Sequence, residues 1–376
     1  MAIKSKLKIL FIIIALFVVV ALSLALTGCN KGEVTVTFKA VGEEDIVITT
    51  EYGGSITPPE VPQKIGNSGY WDIDDFGKIT DDLTVNAVYE TEGLAYNLIG
   101  TSYEVENGNM NPETTELFIP AEHDGIPVTH IADRAFHSCK EITAVWLSYG
   151  ITDIGERAFY GYKLKAIDIP NSVRHIGANA FVSANLISVT IPDGVEYLAD
   201  SLLSNCQNLR SIVLPDGLRS IENNVFMVCS SLESIDLPNS VESIGEGAFY
   251  SCSSLQTLTI PDGVTSLGKK AFGDCKALET IVLPKQLKSL GEEVFKDCTS
   301  LQTLTIPDGV TSISKSAFEN CTALKTIIIP KSVTSVSSNA FLGWAQDQTI
   351  YVKGYSQQPK EWSLGWSSDA TVVWDE

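Results

Sequence analysis

No G-x-S-x-G elbow, phosphate-binding loop or dinucleotide fingerprint occurs in the 376 residues, so three common routes to nucleophile or nucleotide chemistry are missing. No C-x-x-C pair is present either, which removes a common metal-thiolate spacing. Basic residues are scarce: 26 Lys and Arg stand against 46 Asp and Glu, a formal net charge of −20. A chain this acidic repels a phosphate backbone, which argues against a nucleic-acid partner. The same acidity keeps an exposed surface soluble. Carboxylates are so abundant that some pair will always sit at glycosidase spacing, and that signal therefore decides nothing. Neither catalytic residues nor a cofactor are expected.

What the chain does have is a ladder. Phe136, Phe159, Phe181, Phe226, Phe249, Phe272, Phe295, Phe318 and Phe341 recur about every 23 residues, with Leu203 in the single gap. Pro192, Pro215, Pro238, Pro261, Pro284, Pro307 and Pro330 keep the same 23-residue interval. The aligned unit reads V-x-S-I-G-x-x-A-F-x-x-C-x-x-L-x-x-L-x-I-P-x-x, as in residues 241–263, and residues 254–285 nearly recur as 300–331. A period of this length specifies a solenoid, in which each unit is one coil stacked on its neighbours.

Within a coil, Leu255, Leu258 and Ile260 face inward along a strand while Thr257 and Thr259 point the other way. The following Pro-Asp-Gly or Pro-Asn-Ser ends the strand, because proline cannot extend a ladder and Asp, Asn and Gly favour turns. A second apolar pair such as Val264 and Leu267 runs back, and the Ala271-Phe272 turn closes the coil. One coil buries too few side chains to offset its own ordering, so stability must come from the contacts between coils and both ends need lids. Residues 94–127 are read as the first cap. Residues 344–376, with Trp344, Trp362, Trp366 and Trp374, are read as the second.

Cys206, Cys229, Cys252, Cys275, Cys298 and Cys321 share one repeat position, as does Cys139, with Tyr162, Ala184 and Trp344 replacing it elsewhere. Coils lie about 4.8 Å apart, which leaves parallel Cβ atoms beyond the ~3.8 Å that a disulfide prefers. A column of buried free thiols acting as small apolar residues is expected.

The amino terminus follows another rule. Lys4, Lys6 and Lys8 precede an uncharged apolar run over residues 9–26, the pattern of an export signal. The closing Leu26-Thr27-Gly28-Cys29 resembles the lipobox of bacterial lipoproteins, which implies a signal peptide over 1–28 and lipidation of Cys29 in a short N-terminal segment, 29–32. The competing reading is an uncleaved membrane helix, since the run approaches spanning length. Both tether the protein outside the membrane. Removing residues 1–28 would take three lysines and no acid, moving the charge from −20 to −23.

Residues 33–90 alternate as short strands, in Val34-Thr35-Val36-Thr37-Phe38 and again in Leu83-Thr84-Val85-Asn86-Ala87-Val88-Tyr89. Their order, with Tyr52-Gly53-Gly54 and Gly69-Tyr70-Trp71-Asp72 between, resembles the Listeria-Bacteroides repeat, a small β-grasp-like module, here lacking the usual spacer before the Trp. A spacer or a second binding contact are both open for it.

The ladder resembles the BspA-like, or Treponema-type, leucine-rich repeats of bacterial surface proteins. The carrying residues are the A-F turns, the C-x-x-L-x-x-L-x-I-P strands, Gly125-Ile126-Pro127-Val128-Thr129 at the start, and Gln348-Thr349-Ile350-Tyr351-Val352 at the close. The expected class is an α/β repeat, mostly β: a leucine-rich repeat solenoid of about ten coils with caps over residues 94–376, preceded by the small β module. The resemblance implies a monomeric, adhesin-like surface protein that binds an extracellular protein, matrix component or glycan. A structural spacer without a ligand, and a carbohydrate-active or carbohydrate-binding protein, are the alternatives.

The candidate recognition surface is the concave face. Its first outward column is Ala144, Ala166, Ser188, Ser211, Ser234, Thr257, Thr280, Thr303 and Thr326. Its second is Trp146, Asp168, Thr190, Val213, Asp236, Thr259, Val282, Thr305 and Ile328. Small and β-branched side chains make a flat sheet suited to an extended ligand, and strand propensity alone would select the same residues. Trp146 is the one aromatic anchor in the second column. His123, His130 and His137 recur every seven residues near Cys139 and invite a zinc hypothesis, but their spacing is no known ligand set, and His175 stands apart. Asp193, Asp216, Asp262 and Asp308 suggest calcium, yet Asn171, Asn239, Lys285 and Lys331 share their position, so turn chemistry accounts for them.

Overall fold

The structure is a computed structural model that describes residues 32–161 and 163–375. The export signal, Cys29 and Tyr162 lie outside the described residues. The described residues divide into two compact units, one ending at Thr91 and the other beginning at Glu92.

In the first unit, Glu33–Lys39 pairs antiparallel with Ile46–Glu51 and parallel with Leu83–Thr91, which in turn pairs antiparallel with Asn67–Trp71. The period-2 alternation sends Val34, Val36 and Phe38 into a core with Phe76, Ile79 and Val85, while Thr35 and Thr37 face out. Phe38 meets Trp71 edge-on with ring centroids 4.9 Å apart. The proline-rich stretch is held against this core by two side chains: Trp71 Nε1 donates to the Pro59 carbonyl at 2.8 Å and the Tyr89 hydroxyl to the Pro62 carbonyl at 3.1 Å. Gly69 makes room for that arrangement, because a Cβ there would sit 2.8 Å from Val61 and 2.9 Å from the Tyr89 ring.

The second unit is the solenoid. The strands of the face expected to be concave pair parallel and in register within short sheets of two or three coils, as in Ala144–Leu147 with Ala166–Asp168, Thr257–Thr259 with Thr280–Val282, and Thr326–Ile329 with Thr349–Lys353. A second row of two-residue strands runs beside it, from Asp153–Ile154 to Ser335–Val336. Repeated apolar positions stack into continuous columns that form a single core. The turn prolines act as expected: each carbonyl accepts the N–H three residues on, for example Val264 on Pro261 at 3.0 Å and Val310 on Pro307 at 3.0 Å.

Among the described residues no α-helix occurs, so the closing segment of each coil is a run of turns and the solenoid is β throughout. The reason lies in where the N–H groups go. Phe249 donates to the Ala271 carbonyl of the next coil at 2.8 Å and Phe318 to the Ala340 carbonyl at 2.7 Å, so donors that a helix would use internally are committed between coils. Two left-handed residues four apart bracket this turn, such as Lys270 (φ 57°) and Asp274 (φ 59°). They close the coil too tightly for a helical run to propagate.

The phenylalanines stack nearly parallel, with centroids 5.1–5.9 Å apart and rings tilted 9–22°. Leu203 is fully buried in the gap between Phe181 and Phe226.

Seven cysteines of the solenoid are free, six of them buried and Cys139 half-buried. They do more than fill space. Each buried thiol donates to the backbone carbonyl at the Phe position one coil earlier, as Cys229 to Leu203 at 3.2 Å and Cys275 to Phe249 at 3.1 Å. At the end of the column Trp344 takes over the role, its Nε1 donating to the Phe318 carbonyl at 2.9 Å. The reading of these thiols as purely apolar is thereby corrected: where a thiol or an indole stands it donates, while the buried methyl of Ala184 shows that the position also accepts an apolar side chain. Burial pushes the Cys206 and Cys275 thiols up to about 12, so the proton needed for donation is retained.

The two ends close differently. At the first, the antiparallel hairpin of Leu94–Ile99 and Ser102–Asn107 pairs parallel with Ile126–Ile131. At the second, Trp344, Trp362 and Trp366 are buried, and Trp366 lies edge-on to Phe341 at 5.7 Å, covering the last ring of the phenylalanine column.

Candidate ligand-binding surface

The outward residues of the concave strands form two ladders with rungs about 4.8 Å apart. Register places Trp146 beside Asp168, Thr190 beside Val213, Thr259 beside Val282, and Ile328 beside Tyr351. Asp168, Thr190, Val213, Asp236, Thr259, Val282, Thr305 and Ile328 are all exposed. Trp146 is only half-buried on this face because it lies flat on Phe118, its neighbour in the preceding rung, at 4.6 Å and 6°. Its ring thus presents one edge and part of one face.

The most available apolar side chains sit further along. Val213 is 53%, Val282 57% and Ile328 53% exposed. The column does not stop at Ile328: Tyr351 and Val373 continue it, and Thr349 and Thr371 continue the hydroxyl column beside it. Sequence reasoning assigned these four residues to the closing cap. The step from Tyr351 to Val373 is 22 residues, one short of the period, as is that from Phe159 to Phe181.

The histidines are dispersed to separate partners. His123 stacks on Tyr96 at 3.8 Å, His130 shares a hydrogen bond with Thr129 at 2.7 Å and faces Asp153 at 3.3 Å, and His137 bonds the Arg134 carbonyl at 2.7 Å. Among the described residues no group of three His, Cys, Asp or Glu side chains could hold a metal ion. His175 does not stand apart from the others. It lies in the same row as His130, with Asp153 in register between them, and its Nδ1 meets the Tyr197 hydroxyl at 2.6 Å.

Charges also align between coils. Lys269 pairs with Glu292 at 3.3 Å, Lys270 with Glu293 at 3.5 Å and Lys296 with Glu319 at 3.0 Å, each across one repeat. The hydrogen bond to Glu319 raises the Lys296 ammonium above its ordinary range. Exposed pairs of this kind contribute ~0–1 kcal/mol each. On the turn beside the second ladder, Asp262, Lys285, Asp308 and Lys331 alternate in sign from one coil to the next.

Parallel strands in register, inward apolar columns and a turn at every repeat define a β-solenoid repeat protein. The chain belongs to the BspA type leucine rich repeat family, which it matches in six copies over residues 125–232 and 219–346, more than half its length. Membership points to a binding or structural role. The chain is similar to a leucine rich cell surface protein from Faecalibacterium prausnitzii, with 27% identity over 71% of this chain and 95% of that one and a TM-score of 0.34. It is similar to a leucine rich repeat protein of T. pallidum at 26% identity, 62% and 90% coverage and a TM-score of 0.36. It is also similar to the pneumococcal vaccine antigen PcpA, at 17% identity, 83% and 100% coverage and a TM-score of 0.41. No curated protein is detectably similar in sequence.

Proposed function

We infer that this is an exported, lipid-anchored surface protein whose solenoid binds a macromolecule, protein or glycan, across its concave face. One observation carries the reading: two outward columns, in register wherever their strands pair, that leave Val213, Val282 and Ile328 more than half exposed. Strand propensity would explain β-branched residues at these positions, but leaving such aliphatic side chains to water brings no stability. Export and anchoring are supported by the basic, apolar and Leu26-Thr27-Gly28-Cys29 sequence at the amino terminus. Two or more acyl chains on Cys29 would hold the protein firmly at the membrane.

The test is binding of the full-length chain, solubilised in mild detergent, to immobilised extracellular-matrix proteins and to a glycan array. Saturable binding to either supports the reading. Its absence from both leaves the solenoid as a structural spacer.

A further inference from the structure

The last coils of the concave face enclose a depression of about 880 Å³, lined among others by Thr303, Thr305, Asp308, Thr326, Ile328 and Lys331. We propose that this groove is the docking site for a polypeptide segment, one that sets an aliphatic side chain on Ile328 with an acidic residue toward Lys331. The proposal rests on the concave face being a recognition surface and names the chemistry of its partner.

Three features select a peptide. The exposed apolar element is aliphatic: Ile328 is 53% exposed, and Val282, two rungs away in the same column, 57%. Two rungs span about 10 Å, the reach of a short peptide stretch. The side chains that line the groove are aliphatic and polar, and the aromatic nearest in the column, Tyr351, lies one rung beyond Ile328. Next, Thr303 and Thr305 in one coil and Thr326 in the next are exposed, and their hydroxyls offer both donors and acceptors to backbone amides.

The third feature is charge. In a chain of net charge −20 the rim here alternates, with Asp308 and Lys331 at equivalent positions of adjacent coils. The neighbouring lysines are engaged, Lys285 with Asp262 at 3.5 Å and Lys353 with Asp375. Lys331, exposed, has no ion-pair partner among the described residues. It is therefore the cation left to meet an incoming carboxylate, while Asp308 disfavours a dense polyanion.

The experiment uses the full-length chain in mild detergent and an array of 15-residue peptides. These carry Leu, Val or Ala at the centre and Asp, Asn or Lys on the flanks, with neutral and uronate oligosaccharides as a parallel arm. Leu- and Val-centred peptides with acidic flanks are expected to bind. Ile328→Thr, which keeps the strand and its β-branched shape, is expected to weaken them at least tenfold. Lys331→Glu is expected to shift preference toward lysine flanks, and Lys288→Glu on the other sheet to change nothing. Thermal melts of the variants, superimposable on the parent, establish that folding is intact.

Capture of saccharides alone, or peptide binding indifferent to both groove variants, overturns the proposal. So does an array on which no peptide binds. If in that case the same preparation still binds matrix proteins, the groove assignment falls and the recognition surface stands; if it binds nothing, both fall.

Discussion

The thiol of Cys252 donates to the carbonyl of Phe226, 3.1 Å away and 26 residues earlier in the chain, and Cys275, Cys298 and Cys321 repeat the bond at the same distance to Phe249, Phe272 and Phe295. The phenylalanine column and the cysteine column are thus tied to each other through the backbone, coil by coil. Cys252→Ala should cost about 1–2 kcal/mol, the sum of a lost weak donor and a small void. Cys252→Ser keeps the donor and should cost no more than Ala. Chemical denaturation of the two variants checks this, and a serine variant far less stable than the alanine one would show that the bond contributes little.

The same burial makes a prediction in alkali. The thiols keep their protons in the folded chain to about 12 at Cys206 and Cys275, against an ordinary value of 9.0 in the unfolded chain. Between those values the unfolded chain binds fewer protons than the folded one, so stability is whole below pH 9 and falls as pH rises above it. The slope is about 1.4 kcal/mol per pH unit for each thiol involved. Urea denaturation at pH 7, 9 and 10.5 should show it, with a shallower decline in a variant carrying Ser at two positions of the column. In the native state at pH 8 a thiol reagent should reach Cys139 before the other described cysteines, since it is half-buried and they are buried.

Val228 interrupts a column otherwise made of Ser, Asn, Asp and Gly. It holds φ 61°, as do its equivalents Asn205 (φ 61°) and Ser251 (φ 61°), but a β-branched side chain fits that conformation poorly. Val228→Asn or Val228→Gly should stabilise the protein by about 1 kcal/mol. A melting temperature unchanged or lowered in both variants would contradict the assignment of strain there.

Trp366 and Trp344 close the far end of the ladder, edge-on to Phe341 at 5.7 and 5.0 Å. Because coils are stabilised by their neighbours, Trp366→Ala should cost about 3–5 kcal/mol and loosen the terminal coils before the rest. Hydrogen exchange resolved along the chain would show early loss of protection near residues 318–375. Uniform loss along the solenoid would mean the end is not acting as a lid.

The 23-residue period made the stacked core and the outward columns readable in advance, because side-chain direction along a short strand follows from Leu255, Leu258 and Ile260 alone. What stayed hidden depends on partners far away in sequence. The Cys252 thiol finds its acceptor in another coil, and the Phe249 N–H leaves for Ala271 where a helix would have kept it. His130 and His175 meet around Asp153 only because the coils between them are of unequal length, which shifts the alignment that a strict period suggests. Tyr351 and Val373 were obscured by the tryptophans around them, which marked the segment as a cap when it is also the continuation of the face.

Trp146, lying flat on Phe118, reports on the opposite end of that face from Ile328. Trp146→Ala should cost about 1 kcal/mol of stability and weaken binding of any ligand long enough to span the whole concave sheet. A ligand confined to the last coils would not register the change. Comparing the variant on long and short ligands separates the two.

The most direct test of the concave face as a recognition surface is the binding isotherm of the full-length chain on extracellular-matrix proteins, measured beside a triple variant, Val213→Asp, Val282→Asp and Ile328→Asp, whose melting curve matches the parent. Saturable binding by the parent that the triple variant loses is the expected result; equal binding by both, or none by either, would contradict it.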